Sequence, residues 1–115
     1  MSKRQAYRLA LDTLAYMIAW APDYPPSMPQ TFEEAFAELC QYFEHLEARE
    51  QRAVSLDNVR MSREAAMRAK RLYDSGDMDP GRIEIQYAHR YLDLAKSCKP
   101  AVEPLFQPMR LPEGL

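Results

Sequence analysis

The chain has 115 residues, 47% of them hydrophobic and 28% charged, and its 15 basic and 17 acidic side chains give a net charge of -2. This length suits one domain with a single core, and the composition is too apolar for a disordered protein. The near-neutral balance excludes a global field that would draw the molecule to nucleic acid or to an anionic membrane, so any such binding must be local.

The first predicted helix covers residues 3–21 and opens with a capping box, in which Ser2 is the cap and Gln5 follows three positions later. Its core stripe has three- and four-residue spacing and consists of Tyr7, Ala10, Leu11, Leu14, Met17, Ile18 and Ala21. A second stripe makes the helix apolar on most of its sides; it consists of Leu9, Thr13, Tyr16 and Trp20. Such a helix is central in its own fold or gives its spare face to another chain.

The N-terminal segment superficially resembles a cleavable secretory signal peptide, because basic residues precede an apolar run. Asp12 interrupts the run, and Pro22 directly follows the candidate cleavage site. Only ten uncharged residues extend from Thr13 to Pro22, too few to cross a bilayer. The chain has only two cysteines, Cys40 and Cys98, which is too few for a disulfide framework. We predict that both are buried free thiols. We therefore expect a cytoplasmic protein with no membrane partner.

A proline-rich connector separates the first two helices. Residues 22–29 contain four prolines, which remove backbone donors and disfavour helix in the residue before each of them, so this segment with Tyr24 is predicted to be stiff and extended. The second helix, residues 31–50, begins with a capping box of Thr31 and Glu34. Its buried stripe is Phe32, Phe36, Leu39, Phe43 and Leu46, and its outer acidic face includes Glu33, Glu38, Glu44 and Glu47.

The third helix is predicted over residues 62–75. Ser55, Asp57 and Asn58 favour turns and caps, so a short break is expected between Gln51 and Met61. Gly76 suits the residue that terminates a helix. The inner face is rich in small side chains, which let a neighbouring helix approach closely; it consists of Ala65, Ala66, Ala69, Leu72 and Tyr73.

The fourth helix, residues 80–98, is predicted to start at an Asp79 cap followed by Pro80, and Pro100 stops it. Its main stripe is Ile83, Tyr87, Tyr91, Leu94 and Cys98, broadened by Ala88, Leu92 and Ala95. Together these elements predict an all-α protein, a single small domain in which about four helices form a bundle over residues 1–99, followed by a proline-rich extended C-terminal tail.

The tail, residues 100–115, has a proline at every fourth position from Pro100 to Pro112. This spacing differs from the P-x-x-P pattern of ligands for proline-binding grooves. Its larger apolar side chains would each contribute about 1.5 to 3 kcal/mol if fully buried, so a surface should cover them. That surface belongs either to this bundle or to a partner, and the residues concerned are Leu105, Phe106, Met109 and Leu111.

No pattern in the chain indicates a reaction. The only histidines, His45 and His89, do not share a helical face with a cysteine at a metal-binding spacing, and the aspartates around Gly76 are out of register for a calcium loop. Three glycines cannot build a phosphate loop. We predict no metal, no cofactor and no enzymatic activity. A nucleophilic role for Cys40 or Cys98 stays open, because catalytic partners need meet only in space.

Charge is uneven along the chain. Residues 31–48 carry five acids and no Lys or Arg, whereas residues 49–71 carry seven bases. The favoured interpretation is that two antiparallel helices neutralise one another across the bundle. The alternative is a nucleic-acid interface in which the basic segment 49–71 contacts phosphates through Arg60, Arg63, Arg68, Lys70 and Arg71.

The leading functional hypothesis is a non-enzymatic protein-protein interaction module, such as a small adaptor or an inhibitor that occupies a partner's surface. It is based on the absence of catalytic patterns together with surplus apolar surface. The partner is another protein or a second copy of the chain, with nucleic acid as the less favoured alternative. The predicted binding residues are Tyr16, Trp20, Tyr24 and the four apolar tail residues, with the acidic face of the second helix adding specificity.

Overall fold

The computed structural model describes residues 1–102, which form four α-helices and no strand. The helices are α1 (Lys3–Trp20), α2 (Phe32–Arg49), α3 (Ala53–Asp74) and α4 (Met78–Ser97). They build one compact domain, which confirms the prediction of an all-α bundle. The predicted tail contacts of Leu105, Phe106, Met109 and Leu111 lie outside the described residues.

Successive helices are antiparallel neighbours. The side chain of Lys3, at the start of α1, reaches Glu50 just after α2, and Glu33, at the start of α2, pairs with Lys70 late in α3. Short connections join α2 to α3 and α3 to α4, as expected for antiparallel helices. Helix α1 also packs against α4, whereas the backbones of the pairs α1–α3 and α2–α4 do not approach closely, so the four helices occupy the corners of a bundle.

Both predicted capping boxes are confirmed. The Ser2 hydroxyl accepts a hydrogen bond of 3.1 Å from the backbone of Gln5, whose side chain accepts one of 2.9 Å in return. Thr31 and Glu34 repeat this arrangement at 3.2 and 3.0 Å. Each box satisfies two amide groups that the first turn of a helix would otherwise leave without partners.

The fourth helix begins earlier than predicted. Asp77, not Asp79, occupies the cap position, and Asp79 lies inside the first turn, where its carboxylate accepts a hydrogen bond from Arg82. Pro80 is tolerated in this turn because the first amides of a helix have no intrahelical acceptor. The helix ends where Cys98 adopts the left-handed conformation, with φ of 53°.

The short break predicted between Gln51 and Met61 occurs only at the start of that stretch, where residues 50–52 separate α2 from α3. Helix α3 is then continuous from Ala53, so its predicted start at residue 62 is wrong. The polar residues that favoured a turn are instead used between helices. The Ser55 hydroxyl donates to the carbonyl of Ala95 at 2.7 Å, and the Asn58 amide donates to the carbonyl of Lys99 at 2.8 Å. Ser55 therefore connects α3 to α4, and Asn58 connects α3 to the segment just after α4.

Small residues let α3 and α4 pack closely. The Ser62 hydroxyl donates to the carbonyl of Ala88 at 2.6 Å, so one short side chain spans the distance to the opposite backbone. A β-carbon at Gly81 would come within 3.2 Å of the Tyr73 ring, which explains the glycine there. The buried small residues recur every seventh position on both helices and form what we call the small-residue seam: Ser55, Ser62 and Ala69 with Gly81, Ala88 and Ala95.

The seam also corrects the predicted inner face of α4. Ile83, Tyr87 and Tyr91 are only half-buried, whereas Ile85 is fully buried. Because the small residues of α4 must face α3, the helix is rotated so that its aromatic residues flank the core rather than fill it. The centre of the bundle is filled by Leu14, Met17, Leu39, Phe43, Leu46, Val59, Ile85 and Leu92.

Candidate interaction surface

The second stripe of α1 remains uncovered at its C-terminal end. Tyr16 and Trp20 lie one turn apart on the outward face, with 52% and 47% of their surface exposed. They are the most exposed aromatic residues of the part of the chain that the structure describes. The core is filled from other positions of α1, such as Leu14 and Met17, so these two rings contribute little to the bundle's interior. Sequence periodicity predicted both of them as partner-binding residues.

A cavity of about 300 Å³ opens beside Tyr16, where α1, the connector and α2 meet. We call it the tyrosine cavity, because three tyrosines from these three segments line it. The full lining is Leu9, Asp12, Thr13 and Tyr16 from α1, Tyr24, Met28, Pro29 and Gln30 from the connector, and Ala35, Glu38 and Tyr42 from α2.

The connector wall of this cavity is held in place by packing and hydrogen bonding. The Tyr24 ring meets Phe32 edge-on, with ring centroids 6.3 Å apart at an interplanar angle of 85°. The backbone amide of Met28 donates to the carbonyl of Pro25 at 2.9 Å, which closes a turn. Tyr24 is therefore a half-buried support of the surface, and not a second exposed anchor like Tyr16.

Tyr24 also carries a buried hydroxyl that has no hydrogen-bond partner within residues 1–102. Burial, together with the nearby phenol of Tyr73, raises the pKa of Tyr24 to about 12. The Tyr73 hydroxyl is likewise buried without a partner in that range, and burial raises its pKa. Both phenols therefore stay neutral at physiological pH and do not act as bases.

Among residues 1–102, the charges that line the tyrosine cavity are all negative. Asp12 and Glu38 contribute carboxylates, and no Lys or Arg of that range belongs to the lining. The Tyr42 hydroxyl donates to Glu38 at 3.4 Å, and burial together with this carboxylate raises the pKa of Tyr42. The result is an aromatic recess with an acidic border.

The rest of the predicted acidic face is divided between two roles. Glu33 pairs with Lys70 at 3.1 Å, and Glu47 forms ion pairs with Arg60 and Arg63 of α3. Glu44 is exposed and lines a second groove, described below. Sequence reasoning identified these glutamates as one surface, whereas the fold uses two of them to hold α2 against α3.

Most of the predicted nucleic-acid residues have acidic partners. Besides Arg60 and Arg63, Arg68 pairs with Glu84 at 3.0 Å. Lys70 contacts Asp74 at 2.8 Å and lies 6.0 and 5.8 Å from the ring centroids of Phe32 and Phe36. Of the five predicted nucleic-acid residues, only Arg71 has no ion pair within the described range. These contacts agree with the favoured interpretation of neutralising helices, and the nucleic-acid alternative stays an untested prediction.

The second groove, about 650 Å³, lies between α2 and α3. The charges that residues 1–102 place in its lining balance, with three glutamates and three arginines, so they give no field of one sign to a charged ligand. Burial and the neighbouring Glu44 raise the pKa of the Cys40 thiol in this groove, which keeps it protonated at neutral pH and weakens it as a nucleophile. The lining is Cys40, Gln41, Glu44, Glu47, Arg63, Glu64, Met67, Arg68 and Arg71.

A buried ionic cluster around Glu50 was missed by the sequence analysis. Only 4% of Glu50 is exposed. Its carboxylate accepts hydrogen bonds from the Tyr7 hydroxyl at 2.6 Å, from the Arg52 guanidinium at 3.1 Å and from the Lys3 ammonium at 3.4 Å. Burial alone would raise the pKa of Glu50, but the hydrogen bonds from Arg52 and Tyr7 lower it to about 2. The cluster joins the start of α1, the end of α2 and the start of α3.

Within residues 1–102 no three His, Cys, Asp or Glu side chains converge in a way that could hold a metal ion. None of the four helices there combines the length and apolar character needed to cross a bilayer. Comparison of the chain with protein-family models, with curated proteins and with solved structures gives no match.

Proposed function

We propose that the protein is a non-enzymatic interaction module that binds another protein through Tyr16, Trp20 and the rim of the tyrosine cavity. The observation that carries the proposal is the pair of exposed aromatic rings, one turn apart on α1, beside a preformed cavity. Trp and Tyr are enriched among the residues that dominate binding energy, because they bury large rigid surfaces at low cost in conformational entropy.

The grouping of these features distinguishes this surface from ordinary exposed apolar residues. Single exposed apolar side chains are common on any protein and need no explanation. Met61 and Met67 on α3 are of this kind, with 39% and 40% of their surface exposed. Tyr16, by contrast, lines a recess that could receive a side chain of the partner, and Trp20 lies one turn farther along the same helix. Anchors and pockets combine in this way in strong interfaces.

The tail and the remaining acids complete the proposal. The apolar tail residues would extend the contact with the partner or cover a groove of this bundle. Glu38 and Glu44 would add charge selectivity, because neither is engaged with α3 as Glu33 and Glu47 are. Such a module acts as an adaptor or an inhibitor by occupying a surface. We place it in the cytoplasm, where the unpaired Cys40 and Cys98 would remain reduced.

A comparative pull-down from the native cell tests this function. We expect the Tyr16→Ser/Trp20→Ser variant to retain a specific partner at least about tenfold less well than the wild-type chain, since loss of a buried aromatic anchor commonly costs 2 kcal/mol or more. The Met61→Ser/Met67→Ser variant removes comparable exposed apolar surface from α3 and should retain the partner fully. A chain that ends at Lys99 measures the contribution of the tail separately.

Trp20 is the only tryptophan, so its fluorescence reports directly on this surface. Titration of the purified partner should move the Trp20 emission to shorter wavelength as the indole is desolvated. Light scattering over a concentration series tests whether the partner is a second copy. A partner retained equally by the wild-type chain and the Tyr16/Trp20 variant, or lost equally with the methionine variant, would contradict the proposal.

A further inference from the structure

We propose that the tyrosine cavity receives the cationic side chain of a lysine or an arginine from the partner polypeptide. This inference rests on the proposed function and names the chemistry that the same surface would recognise.

The first argument is charge complementarity. The carboxylates of Asp12 and Glu38 border the cavity, and no Lys or Arg from the described part of the chain lines it. On the other side of α2, by contrast, Glu47 pairs with Arg63, and on α4 Glu84 pairs with Arg68. Asp12 and Glu38 form no ion pair within residues 1–102. An anionic group would be repelled there, whereas a cation would supply the missing partner.

The second argument is the aromatic lining. A cation is attracted to the face of an aromatic ring, and the attraction grows as water is excluded. The protein already contains such an arrangement, in which the Lys70 ammonium lies near Phe32 and Phe36 and contacts the carboxylates of Glu33 and Asp74. The tyrosine cavity repeats the combination of rings and carboxylates, and residues 1–102 place no cation in it.

The third argument is size and shape. A cavity of about 300 Å³ is at the small end of the range for ligand pockets, so it suits one long side chain better than a cofactor. The apolar lining from Leu9, Met28 and Pro29 would cover the aliphatic stem. The charged end would meet the carboxylates at the border, as lysine and arginine side chains do when they bury their stems and keep their heads polar.

The test uses small probes that differ in charge but hardly in shape. All probes are acetylated on the α-amino nitrogen and amidated at the carboxyl group, so that only the side chain can carry a charge. The arginine probe is compared with the citrulline probe, and the lysine probe with the norleucine probe, by NMR titration of the full chain. We expect the charged member of each pair to shift the resonances of Asp12, Thr13 and Gln30 and to bind about 5- to 10-fold more tightly than its neutral counterpart.

Variants then connect the preference to the two carboxylates. Asp12→Asn and Glu38→Gln should each weaken binding of the arginine probe several-fold, whereas Asp57→Asn, which removes an equal charge from an exposed position on α3, should not. Equal binding of charged and neutral probes would overturn the inference, as would shifts elsewhere or no shift up to the solubility limit. If partner capture needs Tyr16 and Trp20 but ignores both carboxylates, the interaction surface stands and the cation site fails.

Discussion

Replacement of Glu50 by alanine is expected to destabilise the bundle by about 3 kcal/mol. The change removes the acceptor of the 2.6 Å hydrogen bond from Tyr7, a residue of which only 2% is exposed, and so leaves a buried phenol without a partner. The change also removes the ion pair with Arg52. The Arg52 side chain is 43% exposed, so water hydrates its guanidinium instead. Urea unfolding followed by Trp20 fluorescence and by far-UV circular dichroism measures the loss.

Two further variants test the cause. Glu50→Gln keeps the shape and one acceptor oxygen but loses the charge, so its stability should fall between those of the wild-type chain and the alanine variant. Glu44→Ala removes an exposed glutamate from α2, the helix that Glu50 directly follows, and should change the free energy of unfolding by less than about 0.5 kcal/mol. If Glu50→Ala is no more harmful than Glu44→Ala, the cluster does not hold the three helices together.

The pH dependence of stability provides an independent check on the same carboxylate. The pKa of Glu50 is about 2 in the folded chain, against an ordinary value of 4.5 that applies after unfolding. The unfolded state therefore binds the proton first, and the contribution of Glu50 is complete above pH 4.5 and is lost as the pH falls through 2. Stability of the wild-type chain should thus decline more steeply over this acid range than that of Glu50→Gln. Parallel curves would contradict the assignment.

The fold class follows from the sequence because most helices carry local signals. Each capping box consists of residues only three positions apart, and the apolar stripe of α2 follows one helical period. Both features can therefore be predicted from a short stretch of sequence. The failures concern interactions across the bundle. Ser55 and Asn58 favour turns locally, but their partners are 40 and 41 positions away on α4 and beyond it.

The candidate site also has a part that the sequence predicts and a part that depends on contacts across the fold. Periodicity identified Tyr16 and Trp20, because a stripe that the core does not need is visible in the sequence. The cavity beside them depends on how the connector returns against α1 and α2, which no local pattern specifies. The Glu50 cluster was invisible for the same reason, since Tyr7 is 43 positions from Glu50 along the chain. The tail's own contacts lie beyond the described residues, so its role remains a proposal.

Replacement of Ser62 by leucine is expected to cost about 3 kcal/mol, because it overfills the small-residue seam. The hydroxyl of Ser62 already contacts the carbonyl of Ala88 at 2.6 Å, and neither residue has any exposed surface. A longer side chain would have to force apart the backbones of two helices whose other contacts resist the separation, in an interior packed to crystal-like density. Urea unfolding measures the effect, and loss of a single cooperative transition would report damage to the seam as a whole.

Two matched variants separate overpacking from other causes. Ser62→Ala loses the hydrogen bond but adds no volume, so it should cost only about 1 kcal/mol, since the Ala88 carbonyl keeps its acceptor role within α4. Glu64→Leu introduces the same leucine on the exposed side of α3 and should change stability by less than about 0.5 kcal/mol. A Ser62→Leu chain as stable as Ser62→Ala would mean that α3 and α4 do not approach as closely as the seam requires. If Ser62→Leu is by far the least stable of the three, as expected, this position of the seam requires a small side chain.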